Sequence, residues 1–163
     1  MRGFFGLVGL VALAGCGGSR ADVEGSAGGV DFAKTGHVFF GGPFIVISMT
    51  DIDCESLDFV RRNYEIGVTP TDDDVEMLQF SWMDVDSVEE GTIPVSISAA
   101  VSASVLDVSG GTFTESISTG GVVTVDSVNV EDEVTGSFEG LVFDDGTLNG
   151  DFSAAWCRNL KAQ

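Results

Sequence analysis

The stretch VTGSFEGLVFDDGTLNGDFSAAW, residues 134–156, decides how this chain folds. Two arms of alternating apolar residues flank Asp144-Asp145-Gly146, and a three-residue loop with glycine in the left-handed region suits such a hairpin. That loop pairs Phe143 with Thr147. It then sets Val142 opposite Leu148, Gly140 opposite Gly150, Phe138 opposite Phe152 and Val134 opposite Trp156. Apolar positions coincide at almost every step, and a slip of one residue destroys the match.

Working outward, residues 93–105 give the longest period-2 run. Ile93, Val95, Ile97, Ala99, Val101, Ala103 and Val105 face one way, and Pro94, Ser96, Ser98, Ser102 and Ser104 mostly face the other. Straight, such a strand exceeds roughly 40 Å at about 3.3 Å per residue, which predicts a bend or bulge near Ala99-Ala100. Further strands are expected at 38–40, 44–48, 77–82, 112–118 and 122–130, the last changing phase between Val125 and Val128. One helix is expected at 54–62. Asp53 caps it, Leu57, Val60 and Tyr64 share a face, and Arg61 and Arg62 sit where the helix dipole favours cations. Eight or nine short strands and one short helix predict a mainly β fold, an antiparallel β-sandwich or a small β-barrel.

The chain has 163 residues, enough for one ordinary domain. With 44% hydrophobic residues it is no acidic disordered chain. Its 7 Lys+Arg against 26 Asp+Glu give a formal charge of −19, which argues against nucleic acid as a partner and against electrostatic docking on anionic lipid. A single histidine removes most histidine-based catalytic and zinc constellations.

Residues 1–15 read as an exported leader: Met1-Arg2 is a short positive region, and residues 4–14 are an apolar stretch too short to span a bilayer as a helix. Leu13-Ala14-Gly15-Cys16 resembles the lipobox of bacterial lipoproteins, which implies cleavage before Cys16 and lipidation of its thiol. More than one acyl chain is needed for stable anchoring, and the two or three chains of a lipoprotein meet that condition. In that family an Asp after the cysteine keeps the protein in the inner membrane. Gly17 here favours the outer membrane, on its periplasmic face or at the cell surface. Residues 16–36, rich in Gly, Ser, Ala and Asp, read as a lipidated flexible tether, and 37–163 as the globular domain. With Cys16 taken by the anchor, Cys54 and Cys157 are left to form a disulfide in an oxidising compartment. A redox-active pair is the weaker alternative, because no CxxC occurs.

Enzyme signatures are missing from the sequence. No G-x-S-x-G elbow, P-loop or G-x-G-x-x-G appears, and any triad must use His37, beside the expected tether. Acidic residues are so many that carboxylate pairs carry no information about glycoside hydrolysis. Asp144, Asp145, Asn149 and Asp151 offer oxygen ligands for calcium, as does the run Asp72-Asp73-Asp74, but the first group lacks EF-hand order and the terminal Glu, and a solvated turn and a solvated acidic loop are the expected reading. No cofactor is expected. Ten aromatic residues (Phe32, Phe39, Phe40, Phe44, Phe80, Trp82, Phe138, Phe143, Phe152 and Trp156) suffice for a core, or alternatively for lining a ligand cavity. Beyond the lipobox, Asp53-Cys54, Thr135-Gly136-Ser137-Phe138, Asn149-Gly150-Asp151-Phe152 and Ala155-Trp156-Cys157 resemble uncharacterised myxobacterial-type lipoproteins with a β-rich domain. The resemblance implies no activity. The expectation is a lipid-anchored, non-enzymatic envelope protein whose domain serves structure or interaction. The alternative is a small-ligand carrier with a lipocalin-like barrel. A solid core with an exposed apolar patch favours the first, and an apolar cavity the second.

Overall fold

The computed structural model describes residues 19–32, 36–65 and 74–160. In chain order the elements are β1 (Arg20–Ala27), β2 (Val30–Asp31), β3 (His37–Gly41), β4 (Phe44–Ser48), α1 (Cys54–Glu65), β5 (Val75–Trp82), β6 (Gly91–Pro94), β7 (Val101–Ser109), β8 (Thr112–Ile117), β9 (Gly120–Asn129), β10 (Glu133–Phe143) and β11 (Gly146–Trp156). The protein is mainly β with one helix. Its strands join in one sheet, ordered β6-β9-β10-β11-β3-β4-β5-β7-β8, with β1 added to β11 and β2 to β1.

The sheet curls into a half-barrel. Ser118 and Thr119 carry the chain from β8, at one end of the strand order, to β9 near the other. Ser118 donates its N–H to Ala103 O at 2.8 Å, and its hydroxyl to Gly120 O at 2.7 Å. The two ends approach again where Val95 bridges Val101 in parallel. Strands that turn such corners let one sheet enclose its own core. Nine strands form that order, as expected, and β1 and β2 add to it. One expectation is corrected here: the sheet is mixed rather than antiparallel, because β11 and β3 run parallel through Ala155–Phe39 and Trp156–Phe40.

The expected 93–105 strand is two strands in different places. β6 pairs with β9 and β7 pairs with β5, while residues 96–100 form the loop between them. The predicted bend near Ala99-Ala100 is therefore a departure from the sheet. Ile97, expected inside, is 73% exposed at that loop. The phase change between Val125 and Val128 is a bulge, as expected, with Asp126 the extra residue opposite β10.

The β10–β11 hairpin exists, in another register. Phe143 pairs with Gly146 across a two-residue turn, Leu141 with Leu148, and after a shift Phe138 with Gly150 and Gly136 with Phe152. The shift is a bulge at Glu139-Gly140. Gly140 adopts φ 60°, which costs a glycine little, and its N–H is taken by Asn149 Oδ1 at 2.7 Å. The bulge switches the inward residues from Phe143 and Leu141 to Phe138, Gly136 and Val134. A uniform two-residue period cannot express that switch.

Residues 20–31 overturn the tether. β1 pairs with β11 from Arg20–Ser153 to Gly25–Leu148, and Ala21, Val23, Ala27, Val30 and Phe32 are buried in the main core. Their period-2 spacing was visible, but Gly, Ser and Asp between them gave the segment a linker's composition. The domain thus includes residues that precede 37.

The core is filled from both sides. Phe80 lies 5.4 Å from Phe138 and 6.4 Å from Phe152 between ring centroids. A second cluster sits on the outer face of β4, β5 and β7, where Val46, Met77, Leu106 and Val108 meet Leu57 and Val60 of α1. Asp53 caps this helix by accepting the Ser56 N–H at 2.8 Å, and that bond holds its carboxyl below the ordinary range. The helix runs to Glu65, three residues beyond the expected end, and the Tyr64 side chain lies outside the described residues. Arg61 is buried, its guanidinium 4.3 Å from the Phe44 ring centroid, while the more exposed Arg62 binds Asp58 at 2.7 Å.

Candidate functional site: a groove on the outer face of the sheet

Helix α1 covers only part of the outer face of β5 and β7. Where it covers them, outward residues are apolar (Met77, Leu106, Val108), and beyond it they are polar. Pairing fixes the uncovered rows: Gln79 with Ser104 and Ser104 with Ile117, then Ser81 with Ser102. These four polar residues floor a groove of about 210 Å³, walled by Met83, Ile97, Ile117 and Glu115. Met83 is 51%, Ile97 73% and Ile117 38% exposed. Half of the exposed large hydrophobics among the described residues thus converge on one groove, the others being Phe59, Val130 and Val142.

The walls are held by backbone geometry. Met83 N donates to Ala100 O at 2.8 Å, and Ser96 N to Val101 O at 3.1 Å, which ties one end of the 96–100 loop to the residue after β5 and the other to β7. In the floor, Gln79 Nε2 donates to Ser81 Oγ at 2.9 Å. Gln79 Oε1 is buried and has no hydrogen-bond partner among the described residues. An amide oxygen without a donor is costly in a buried setting and is a ready acceptor. Sequence reading placed Ser102 and Ser104 outward and missed the groove, because it carried Ile97 into the core. The small, serine-rich run Ser96-Ile97-Ser98-Ala99-Ala100 was the available sign that the strand breaks there.

The other anticipated residues have structural employment. Cys54 and Cys157 are joined, S–S 2.05 Å and Cα–Cα 5.6 Å. The four calcium candidates are not brought together around an ion. Asp145 accepts from Gly28 N at 2.9 Å and Gly29 N at 3.1 Å, and these bonds lower its pKa. Asn149 serves the bulge at Gly140. Asp151 sits exposed on β11 opposite Asp22, and Asp144 is exposed at the turn. Asp74 accepts from Gly110 N at 3.1 Å, while Asp72 and Asp73 lie outside the described residues, as does Cys16. His37 Nε2 meets Asp51 Oδ1 at 3.0 Å, both side chains well exposed. Among the described residues no group of three or more His, Cys, Asp or Glu is placed to hold a metal ion, and no helix is long and apolar enough to cross a membrane.

Four larger depressions lie elsewhere among the described residues. One is on α1 around Phe59 and Arg62, one along β1 and β2, one between Arg20 and Asp151, and one around Thr50 and Asp53. None is lined by the interior rings Phe80, Phe138 and Phe152. Comparison with family models, with curated proteins and with solved structures found no match.

Proposed function

We propose that this chain is a lipid-anchored envelope protein, tethered through Cys16, whose β domain acts as a non-enzymatic interaction module. One observation carries the functional half of the reading: the interior is occupied by aromatic rings, while apolar side chains gather on the outer groove. A filled interior weighs against the lipocalin-like carrier, which needs a cavity of roughly 300 Å³ or more. Exposed apolar side chains rimming a polar floor are characteristic of surfaces that meet a partner. The anchor rests on Leu13-Ala14-Gly15-Cys16, and the Cys54–Cys157 bond suits an oxidising compartment.

With β1 starting at Arg20, only Gly17, Gly18 and Ser19 separate the strand from Cys16. Four residue steps reach at most roughly 14 Å. The domain therefore sits directly against the bilayer under this reading, without a long spacer.

The test joins anchoring and contact. Full-length protein in its own cells is metabolically labelled with a fatty-acid analogue, with a photo-crosslinking residue at Ile97. The expected result is acylation lost in Cys16→Ser and a discrete crosslinked protein adduct from position 97. Acylation that persists in Cys16→Ser overturns the anchor. Crosslinking from position 97 no greater than from Val130, which is equally exposed and away from the groove, overturns the module.

A further inference from the structure

An anchor at Cys16 fixes which part of the domain meets the membrane. β1 runs antiparallel to β11, so its first residue, Arg20, stands beside Ser153 near the finish of β11. Beyond that row β3 takes the edge of β11, through Ala155–Phe39 and Trp156–Phe40, and the chain leaves the sheet at Ser19. Cys16 is at most roughly 14 Å from Arg20. β11 continues only three residues past Ser153, about 10 Å of strand. Arg158 follows in the turn that the Leu160 N–H closes on Cys157 O at 3.1 Å. The opposite end, at the β10–β11 turn, lies seven residues before Ser153, about 23 Å farther from the anchor.

Charge divides along the same axis. Four arginines stand among the described residues, and two of them, Arg61 and Arg62, lie on α1 and engage Phe44 and Asp58. The other two, Arg20 and Arg158, are exposed. Neither forms an ion pair with a described residue, in a chain with 26 acidic side chains. Asp22 and Asp151 border the same depression as Arg20 without reaching ion-pair distance. Other carboxylates of this end are engaged. Glu133 accepts from the Ser153 hydroxyl, Asp132 from Asn129 Nδ2 at 2.7 Å, and Asp51 meets His37. The far turn carries Asp144 and Asp145 instead. A planar guanidinium fits a phosphate through two parallel hydrogen bonds. Resting on the anchor of the proposed function, we infer that the end of the domain marked by Arg20 and Arg158 lies on the bilayer, both guanidinium groups bonded to phosphates of lipid headgroups. The tether limits the distance, and the arginines set the orientation. A net charge of −19 is repelled by an anionic surface as a whole, so zwitterionic lipid supplies the phosphates.

The experiment uses the full acylated chain, purified from its own cells and placed in phosphatidylcholine vesicles that include a headgroup nitroxide. A fluorescent residue stands at position 159 or, at the far turn, at position 144, both exposed. Quenching is expected to be about threefold or more stronger at 159, given roughly 23 Å between the two ends. Arg20→Gln combined with Arg158→Gln should cut that ratio by about half or more, because losing both charge-assisted contacts lets the domain turn on its tether. Flotation with the vesicles should persist in that variant. If the double variant does not fold, Arg158→Gln alone serves, because its side chain is exposed, and it should lower the ratio in the same direction. A wild-type chain neither acylated nor carried by vesicles overturns the anchor and this orientation with it. Flotation with equal quenching at the two positions, or stronger quenching at 144, overturns the orientation and leaves the anchor standing. A ratio unmoved by replacing the arginines overturns the phosphate contacts.

Discussion

The carboxylate of Asp145, at the tip of the β10–β11 hairpin, accepts the backbone N–H of Gly28 at 2.9 Å, 117 positions earlier in the chain. With the Gly29 N–H it clasps the turn between β1 and β2 to the far hairpin. Accepting both amides holds the Asp145 carboxyl below its ordinary 3.8, the Gly28 bond contributing most. A lowered folded pKa means the clasp is at full strength above the ordinary value and is lost as pH falls through the folded one. Asp145→Ala should speed amide exchange at Gly28 and Gly29 and lower the melting temperature at neutral pH. Wild type and variant should converge in strong acid. A melting difference that stays constant from neutral to strongly acidic pH contradicts the clasp.

Two phenylalanines of this hairpin each face a glycine across the strands. Phe138 pairs with Gly150, and Phe152 with Gly136. A Cβ on Gly150 would stand 2.4 Å from Asp22 O and 2.8 Å from the Phe138 ring. On Gly136 it would stand 2.2 Å from Thr124 O and 2.8 Å from the Phe152 ring. The rings thus lie over bare backbone, and neighbouring strands close in from outside. Gly136→Ala and Gly150→Ala should each cost about 1–3 kcal/mol, the range for overpacking, read from urea unfolding. An unchanged midpoint in both would show that the sheet gives way freely.

Phe32 tests where the domain begins. It is fully buried, in a segment whose composition reads as linker. Phe32→Ala should lower stability by about 3–5 kcal/mol, as for other buried aromatics. A flexible tether at this position would give no change.

The Cys54–Cys157 bond spans 103 residues. On the chain-entropy account a closure of that length stabilises by about 4–5 kcal/mol, largely by restricting the unfolded chain. Replacing both cysteines with alanine should lower the unfolding free energy by about that amount. Equal stability in the oxidised wild type and the double variant would mean the denatured chain is already compact there.

How far the sequence disclosed this molecule depended on whether a pattern was uniform. The helix from Cys54 through Arg62, the hairpin about Asp144-Asp145 and the bulge after Val125 were legible because Asp53, Gly146 and a lost phase announce them. The register at Phe138 was not, because Gly140 absorbs one residue and turns every later side chain over. The parallel meeting of Ala155 with Phe39 was not legible either, since it joins segments far apart in the chain with no local signal. The groove stayed hidden for a related reason. Ile97 obeys the alternation of its neighbours on paper, and only the departure of β7 to another part of the sheet puts it in solvent.

The pairing of Arg20 with Ser153 also sets a timetable. A ribosome makes this strand long before its partner, and synthesis proceeds at about 5–20 residues per second. The opening strand therefore waits on the order of ten seconds before it has an edge to join, with Ala21, Val23 and Phe32 uncovered meanwhile. A chain that stops short of residue 148 never supplies that edge. Whatever guards the newborn polypeptide must keep this segment from sticking until β11 is made, and a halt before then leaves an open, apolar segment by which an incomplete copy can be recognised and destroyed.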